Sequence, residues 1–168
     1  MGRILAPKLR TYVVIFLAWT FLGLFLLSQD LTRKLFSHDP TPWWHFLLSW
    51  LTGVYICAFL TPAILWLGRR FPIQRENWAR RVAFHLLFSV LFAVFVIALD
   101  SAILPHLRIF PSFMKTSGST FALLMVLAFH QNVLSYWTIL GIQSAFRYYH
   151  AYQERERQAL RLSSTPLN

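Results

Sequence analysis

The amino-acid sequence predicts an all-α integral membrane protein: a bundle of four transmembrane helices with a cytoplasmic helical extension at its C-terminal end. Composition, segmentation and the lack of strand patterning predict this class. The 168 residues are 57% hydrophobic and 17% aromatic but only 13% charged, more apolar surface than one small water-soluble core can hide. The charges are gathered between four long apolar stretches, residues 12–27, 44–67, 82–104 and 121–145. A helix rises about 1.5 Å per residue and the hydrocarbon layer is about 30 Å thick, so about 20 apolar residues cross it. Backbone groups in lipid are satisfied only in helices or closed barrels, and no ten-residue alternation of a barrel is present.

The first stretch is short for a span, and Leu9 and its neighbours extend it. The basic start and apolar run also describe a secretory signal peptide, but the following SQDLTRK offers no small-x-small cleavage site, which predicts an uncleaved anchor. In the first connection Pro40 and Pro42 precede Trp43 and Trp44, a pair suited to a membrane interface at the start of span two. Within span two, Gly53, Cys57 and Thr61 recur every four residues and mark a narrow stripe for another helix. Cys57 is the single cysteine, so it forms no intramolecular disulfide and reads as a small packing residue. Pro62 removes a backbone hydrogen bond and is placed to kink the helix. The connection before span four, PHLRIFPSFMKTSGST, is short, so neither outer loop is large enough for an extracellular binding domain.

Charge predicts the orientation. Arg3, Lys8 and Arg10 precede span one, Arg69, Arg70, Arg75, Arg80 and Arg81 lie between spans two and three, and Arg147, Arg155, Arg157 and Arg161 follow span four. These are twelve of the 16 basic residues, against Arg33, Lys34, Arg108 and Lys115 in the alternate connections. The bias of Lys and Arg toward the cytoplasm places both termini and the middle loop inside. The net charge of +10 then reports topology and attraction to anionic lipid headgroups. It does not indicate nucleic-acid binding, because the basic residues flank spans instead of forming one soluble patch.

Span four carries FHQNVLSYW in an otherwise apolar run. Entered from outside near Phe121, it places His130 about 12 to 14 Å deep, near the midplane. At about 100° per residue Gln131, Asn132, Ser135, Tyr136, Thr138 and Gln143 share one broad face, and His130 points elsewhere with Trp137 and Gly141. Polar residues at this depth need a protein partner or a water-filled cavity, so the face is expected to look into the bundle. Asp100, near the outer end of span three, lies within about one turn of His130 in depth, close enough for a hydrogen-bonded pair. The candidate polar network is therefore Asp100, His130, Gln131, Asn132, Ser135 and Tyr136, open to a structural role or to a pH- or ligand-sensitive one.

Chemistry on this chain alone has little support. A zinc site wants three or four convergent ligands, and Cys57, His85 and Asp100 are the only groups comparable to His130 in the spans, with His85 read as several turns away. There is no phosphate-cradling glycine loop, HExxH, CxxC or paired carboxylate within one span. No metal, no cofactor and no catalytic residue is expected. The spans also show no internal repeat between the first and second helix pairs, which weakens a duplicated-transporter reading.

After span four, FRYYHAYQERERQALRL contains strong helix formers without Pro or Gly, so the helix is expected to continue out of the membrane. Ile142, Ala145, Tyr149, Tyr152 and Ala159 approximate a 3-4 spacing interrupted by Glu156, which fits either a dimer seam or a solvated amphipathic tail. The chain thus divides into a membrane domain, residues 1–146, and an output helix and tail, residues 147–168, with Arg147, Tyr149, Tyr152, Glu156 and Ala159 as candidate output positions.

Over residues 60–162 the stretches LTPAILWLGRRFPIQRENWARRVAFHLLFSVLFA and FHQNVLSYWTILGIQSAFRYYHAYQERERQALRL resemble the membrane-sensor portion of LytS-type bacterial sensor histidine kinases. The spacing of TP, RRFP, HLL, N, YW and RYY carries the resemblance. It implies a homodimeric two-component sensor of the bacterial inner membrane whose fourth helix leads to a phosphoacceptor-histidine segment and an ATP-binding domain, using ATP and Mg²⁺ and passing phosphate to a response regulator. Those catalytic segments are not found in this sequence, which departs into SSTPLN, so the resemblance implies a module truncated before the kinase core, without enzymatic activity of its own. The competing expectations are a small transporter or channel subunit, with the polar face of span four along a pathway, and a stand-alone membrane-interaction protein.

Overall fold

The computed structural model describes residues 5–37, 40–107 and 116–163, with side chains 5–8, 159 and 161–163 outside the description. Of the described residues 94% are helical and none is in a strand, so the chain is all-α. The elements are α1 (Leu5–Ser37), α2 (Trp43–Arg70), α3 (Trp78–Ile103), α4 (Ser117–Leu127) and α5 (Phe129–Ser163), with single 3₁₀ turns at Arg75–Asn77 and Leu104–Leu107. Three helical stretches, Leu9–Ser37, Trp43–Arg70 and Arg75–Leu107, are long and apolar enough to cross a membrane, and α4 with α5 adds a fourth if that bent pair is one span.

α1 runs farther than the apolar pattern suggested. No Pro or Gly interrupts residues 24–37, and the polar side chains there bond within the helix: Ser28 Oγ donates to the Phe25 carbonyl and Thr32 Oγ1 to the Ser28 carbonyl. Asp30 pairs with Arg33 at 2.9 Å and accepts from Trp50 Nε1 at 2.8 Å, while Lys34 Nζ reaches the Thr41 carbonyl. Thus much of the supposed outer loop is helix tied to the start of α2.

α2 continues through Pro62, which lies inside the helix, and is the centre of the packing. Its buried Val54, Cys57 and Ala58 form one core with Trp19 of α1 and Val96 of α3. Trp19 Nε1 donates to Thr61 Oγ1 at 2.8 Å, and Thr61 in turn donates to the Cys57 carbonyl, so both polar groups are satisfied as Trp19 buries its ring. Farther along, Ile64 and Leu67 join Tyr136 and Leu140 of α5 in a second core. α3 faces this centre with His85, Ser89, Ala93, Ile97 and Ser101, a four-residue repeat that keeps one helix face inside.

Candidate functional site: the joint between α5 and its neighbours

The fourth apolar stretch is two helices, bent by 60°. The break falls at Ala128, with φ −108° and ψ −13°, and contains neither Pro nor Gly. α4 starts cleanly, with the Thr116 side chain accepting from the Ser119 N–H at 3.3 Å, the usual service of an N-cap. At the break the Asn132 side chain bonds back: Nδ2 donates to the Ala128 carbonyl at 3.1 Å, which also accepts the Asn132 backbone N–H at 3.0 Å. A short polar side chain that engages the carbonyl four residues earlier often accompanies a bend in a helix. Cys57 Sγ donates to Asn132 Oδ1 at 3.7 Å, so the brace is anchored on α2.

One turn on, Tyr136 is 1% exposed and His85 is 0% exposed. His85 Nε2 lies 2.9 Å from the Phe71 carbonyl, and His85 Nδ1 lies 2.8 Å from the Tyr136 hydroxyl. A carbonyl only accepts, so in neutral His85 the proton sits on Nε2, and the Tyr136 hydroxyl donates to Nδ1. Every polar atom of this buried pair is therefore satisfied, and three places are joined: the end of α2, the first half of α3, and α5. Rings of Phe92 and Trp137 flank Tyr136, with centroids 5.9 and 6.2 Å away.

A second contact lies two turns further along α5. Gln143 Nε2 donates to the Leu65 carbonyl at 2.7 Å, and Arg147 donates to the Gly68 carbonyl at 3.1 Å. The last turn of a helix leaves carbonyls unsatisfied at the negative end of its dipole, and an arginine there serves both needs. Gly68 makes the approach possible, since a Cβ at that position would sit 2.7 Å from Leu140 Cδ1 and would collide with the Gln143 side chain. Asn132, Tyr136, Leu140, Gln143 and Arg147 thus form one seam with steps of three or four residues, the helical repeat.

The remaining residues expected in the polar network sit elsewhere. Gln131 and Ser135 are half-buried on the side of α5 that faces α1. His130 is exposed and makes no hydrogen bond to Asp100, so the expected pair is not formed. Asp100 lies against Gly53: a Cβ on that glycine would be 3.4 Å from Asp100 Oδ2. Its Oδ1 is buried without a hydrogen-bond partner. Among the described residues no group of three or more His, Cys, Asp or Glu side chains is placed to hold a metal ion.

Two partners of the seam lie outside the network expected from the sequence: Gly68, and His85, considered there only as a metal ligand. The expectation sets His85 several turns in depth from His130, and the residue it bonds is Tyr136, six positions farther along α5. The available signal was the four-residue repeat 85, 89, 93, 97 and 101, which puts His85 on the same face as Ser89, Ala93, Ile97 and Ser101. Beyond the seam, Tyr149, Tyr152 and Glu156 are exposed, and Gln153 Nε2 donates to the Tyr149 hydroxyl at 2.7 Å. The Ala159 side chain lies outside the described residues. No family model, curated protein or solved structure matches this chain.

Proposed function

We propose that this chain is a membrane-inserted sensor and signal-transmission module, with α5 as its output helix, of the kind that serves a two-component histidine kinase. One observation carries the reading: α5 is a single helix of 35 residues whose first half is held by buried polar contacts and whose second half is exposed. A change in packing at the Asn132 brace or the His85–Tyr136 bond moves the base of a lever. Transmission requires the joint to have two discrete arrangements, and a bend held by one side chain, beside a few hydrogen bonds, is an element that a modest free-energy difference biases.

In this reading the Arg-rich ends of the helices face the cytoplasm of a bacterial inner membrane. α5 leads to a kinase core carried by other residues, where ATP and Mg²⁺ act and from which a response regulator receives phosphate. Two copies pair along the exposed Tyr149 and Tyr152 side of α5, beyond the groove end. The test joins the end of α5 to an intact histidine-kinase core and measures phosphorylation in vesicles. Asn132→Leu is expected to shift basal output, as is a two-residue insertion after Gln153, which rotates the following helix by about 200°. Output unchanged by both would refute transmission through α5. Flux of a solute through vesicles holding the chain alone would favour a transporter instead.

A further inference from the structure

α1 packs on α2, and α5 packs on α2 and α3, which leaves a groove between α1 and α5 with α2 as its floor. The groove encloses about 960 Å³, near the top of the range of about 300–1,000 Å³ for ligand sites. Along α1 it runs from Thr11 to Leu26, about 22 Å at 1.5 Å per residue, longer than the roughly 15 Å of one leaflet's hydrocarbon. Its walls are aliphatic and aromatic, with Ala18 and Leu22 on one side and Leu134, Ile142 and Phe146 on the other.

The two ends differ in charge. Arg69, Arg147 and His150 line the end near Thr11, and the far end carries no charged side chain. Among the described residues the one ion pair is Arg33 with Asp30, so neither groove arginine has a carboxylate partner. Arg147 is positioned by the Gly68 carbonyl and by Ser144 Oγ at 3.3 Å, and Arg69 is exposed. An apolar trough capped at one end by guanidinium groups complements an amphiphile with an anionic head. A second copy fits less well, because two copies inserted the same way and paired through this face bring like charges together at the same depth.

We propose that the groove is a binding site for one anionic phospholipid of the bilayer, its acyl chains lying along α1 and α5 and its phosphate held by Arg69, Arg147 and His150. The site rests on the membrane reading but not on the signalling one, and it gives the module a direct contact with lipid composition. Bound lipid would bridge α1 to the output helix on the side of α5 next to the sheltered seam, with Gln143 and Arg147 at the border, where its presence or loss bears on the position of Phe146 and Arg147.

The test uses the full chain in nanodiscs of equal parts phosphatidylglycerol and phosphatidylcholine. Resistance to alkaline extraction first establishes insertion, so failure of the membrane reading is seen separately. Native mass spectrometry then counts the lipids retained. Arg69→Gln is expected to lower the phosphatidylglycerol preference about five-fold, the factor for one basic charge near the surface. Ala18→Trp is expected to abolish retention by filling the groove, and Arg70→Gln, one residue away, is expected to change neither. Should Ala18→Trp fail to fold, Ile142→Trp tests the same volume from the other wall. Equal effects of Arg69→Gln and Arg70→Gln would overturn the site in favour of diffuse surface attraction. Full retention in the groove-filled variant would overturn it as well, and so would lipid-free dimers cross-linked through Ala18→Cys.

Discussion

Tyr136→Phe isolates the contact on which the joint between α2, α3 and α5 depends. The substitution deletes one oxygen and keeps the ring between Phe92 and Trp137, whose centroids lie 5.9 and 6.2 Å away, so almost all apolar burial is retained. What is lost is the 2.8 Å bond to His85 Nδ1, and Nδ1 is left buried without a donor. In water-soluble proteins an orphaned buried acceptor costs about 1–3 kcal/mol. Inter-helix hydrogen bonds within membranes measure lower, about 0.6 kcal/mol on average and about 1.7 at most, because the unfolded reference state also finds partners. The expected loss for Tyr136→Phe is therefore about 1 kcal/mol, read as the change in unfolding free energy in a detergent titration of the purified chain. A double-mutant cycle with His85→Leu should return a coupling of about 0.6–1.7 kcal/mol. Strict additivity, within about 0.3–0.5 kcal/mol, would refute the bond as an energetic link. Nitrogen chemical shifts of His85 offer an independent check, since the geometry requires the proton on Nε2, and a proton found on Nδ1 would contradict the assigned direction.

Other substitutions probe the same seam from different sides. Gly68→Ala places a methyl group against Leu140 Cδ1 and Gln143; overpacking of this kind costs about 1–3 kcal/mol, and unfolding within about 0.5 kcal/mol of the parent would mean that α5 sits farther from α2 than described. Asn132→Leu removes the side-chain bond to the Ala128 carbonyl. Spin labels on α4 and α5 should report a smaller bend than 60°, and an unaltered distance distribution would show that Asn132 does not hold the bend. Asp100→Asn converts a carboxylate with an unpartnered buried oxygen into a neutral amide of the same size. It should leave stability equal or raised, because an unpaired buried charge is costly, and a loss above about 2 kcal/mol would reveal a partner that the carboxylate serves.

Hydropathy and charge made the helical class and the approximate positions of the apolar segments legible, because lengths near 20 residues and the clustering of Arg and Lys are local properties of a chain. Partners are not local, and there the sequence reading fell short in instructive ways. Asn132 was placed on an inward face by periodicity, but periodicity states only a direction, and the same broad face held Gln131 and Ser135, which look toward the groove instead of the seam. By count along the spans His85 lies several turns from His130, whereas Tyr136, six residues farther in, comes to the level of His85, a pairing that depth alone does not single out. The 60° bend is equally silent in the sequence, because the residues around Ala128 lack the customary signals of Pro or Gly. Asn132 lies four residues downstream of the break, and an Asn in a helix has two outlets: it can reach across to a neighbouring helix or back to a carbonyl of its own helix. Here it does both, accepting from Cys57 and donating to Ala128. Such a residue links the break in its own helix to the neighbouring helix through one side chain. Asn132 thus has two simultaneous obligations, one within its own helix and one across to α2, with both partners named.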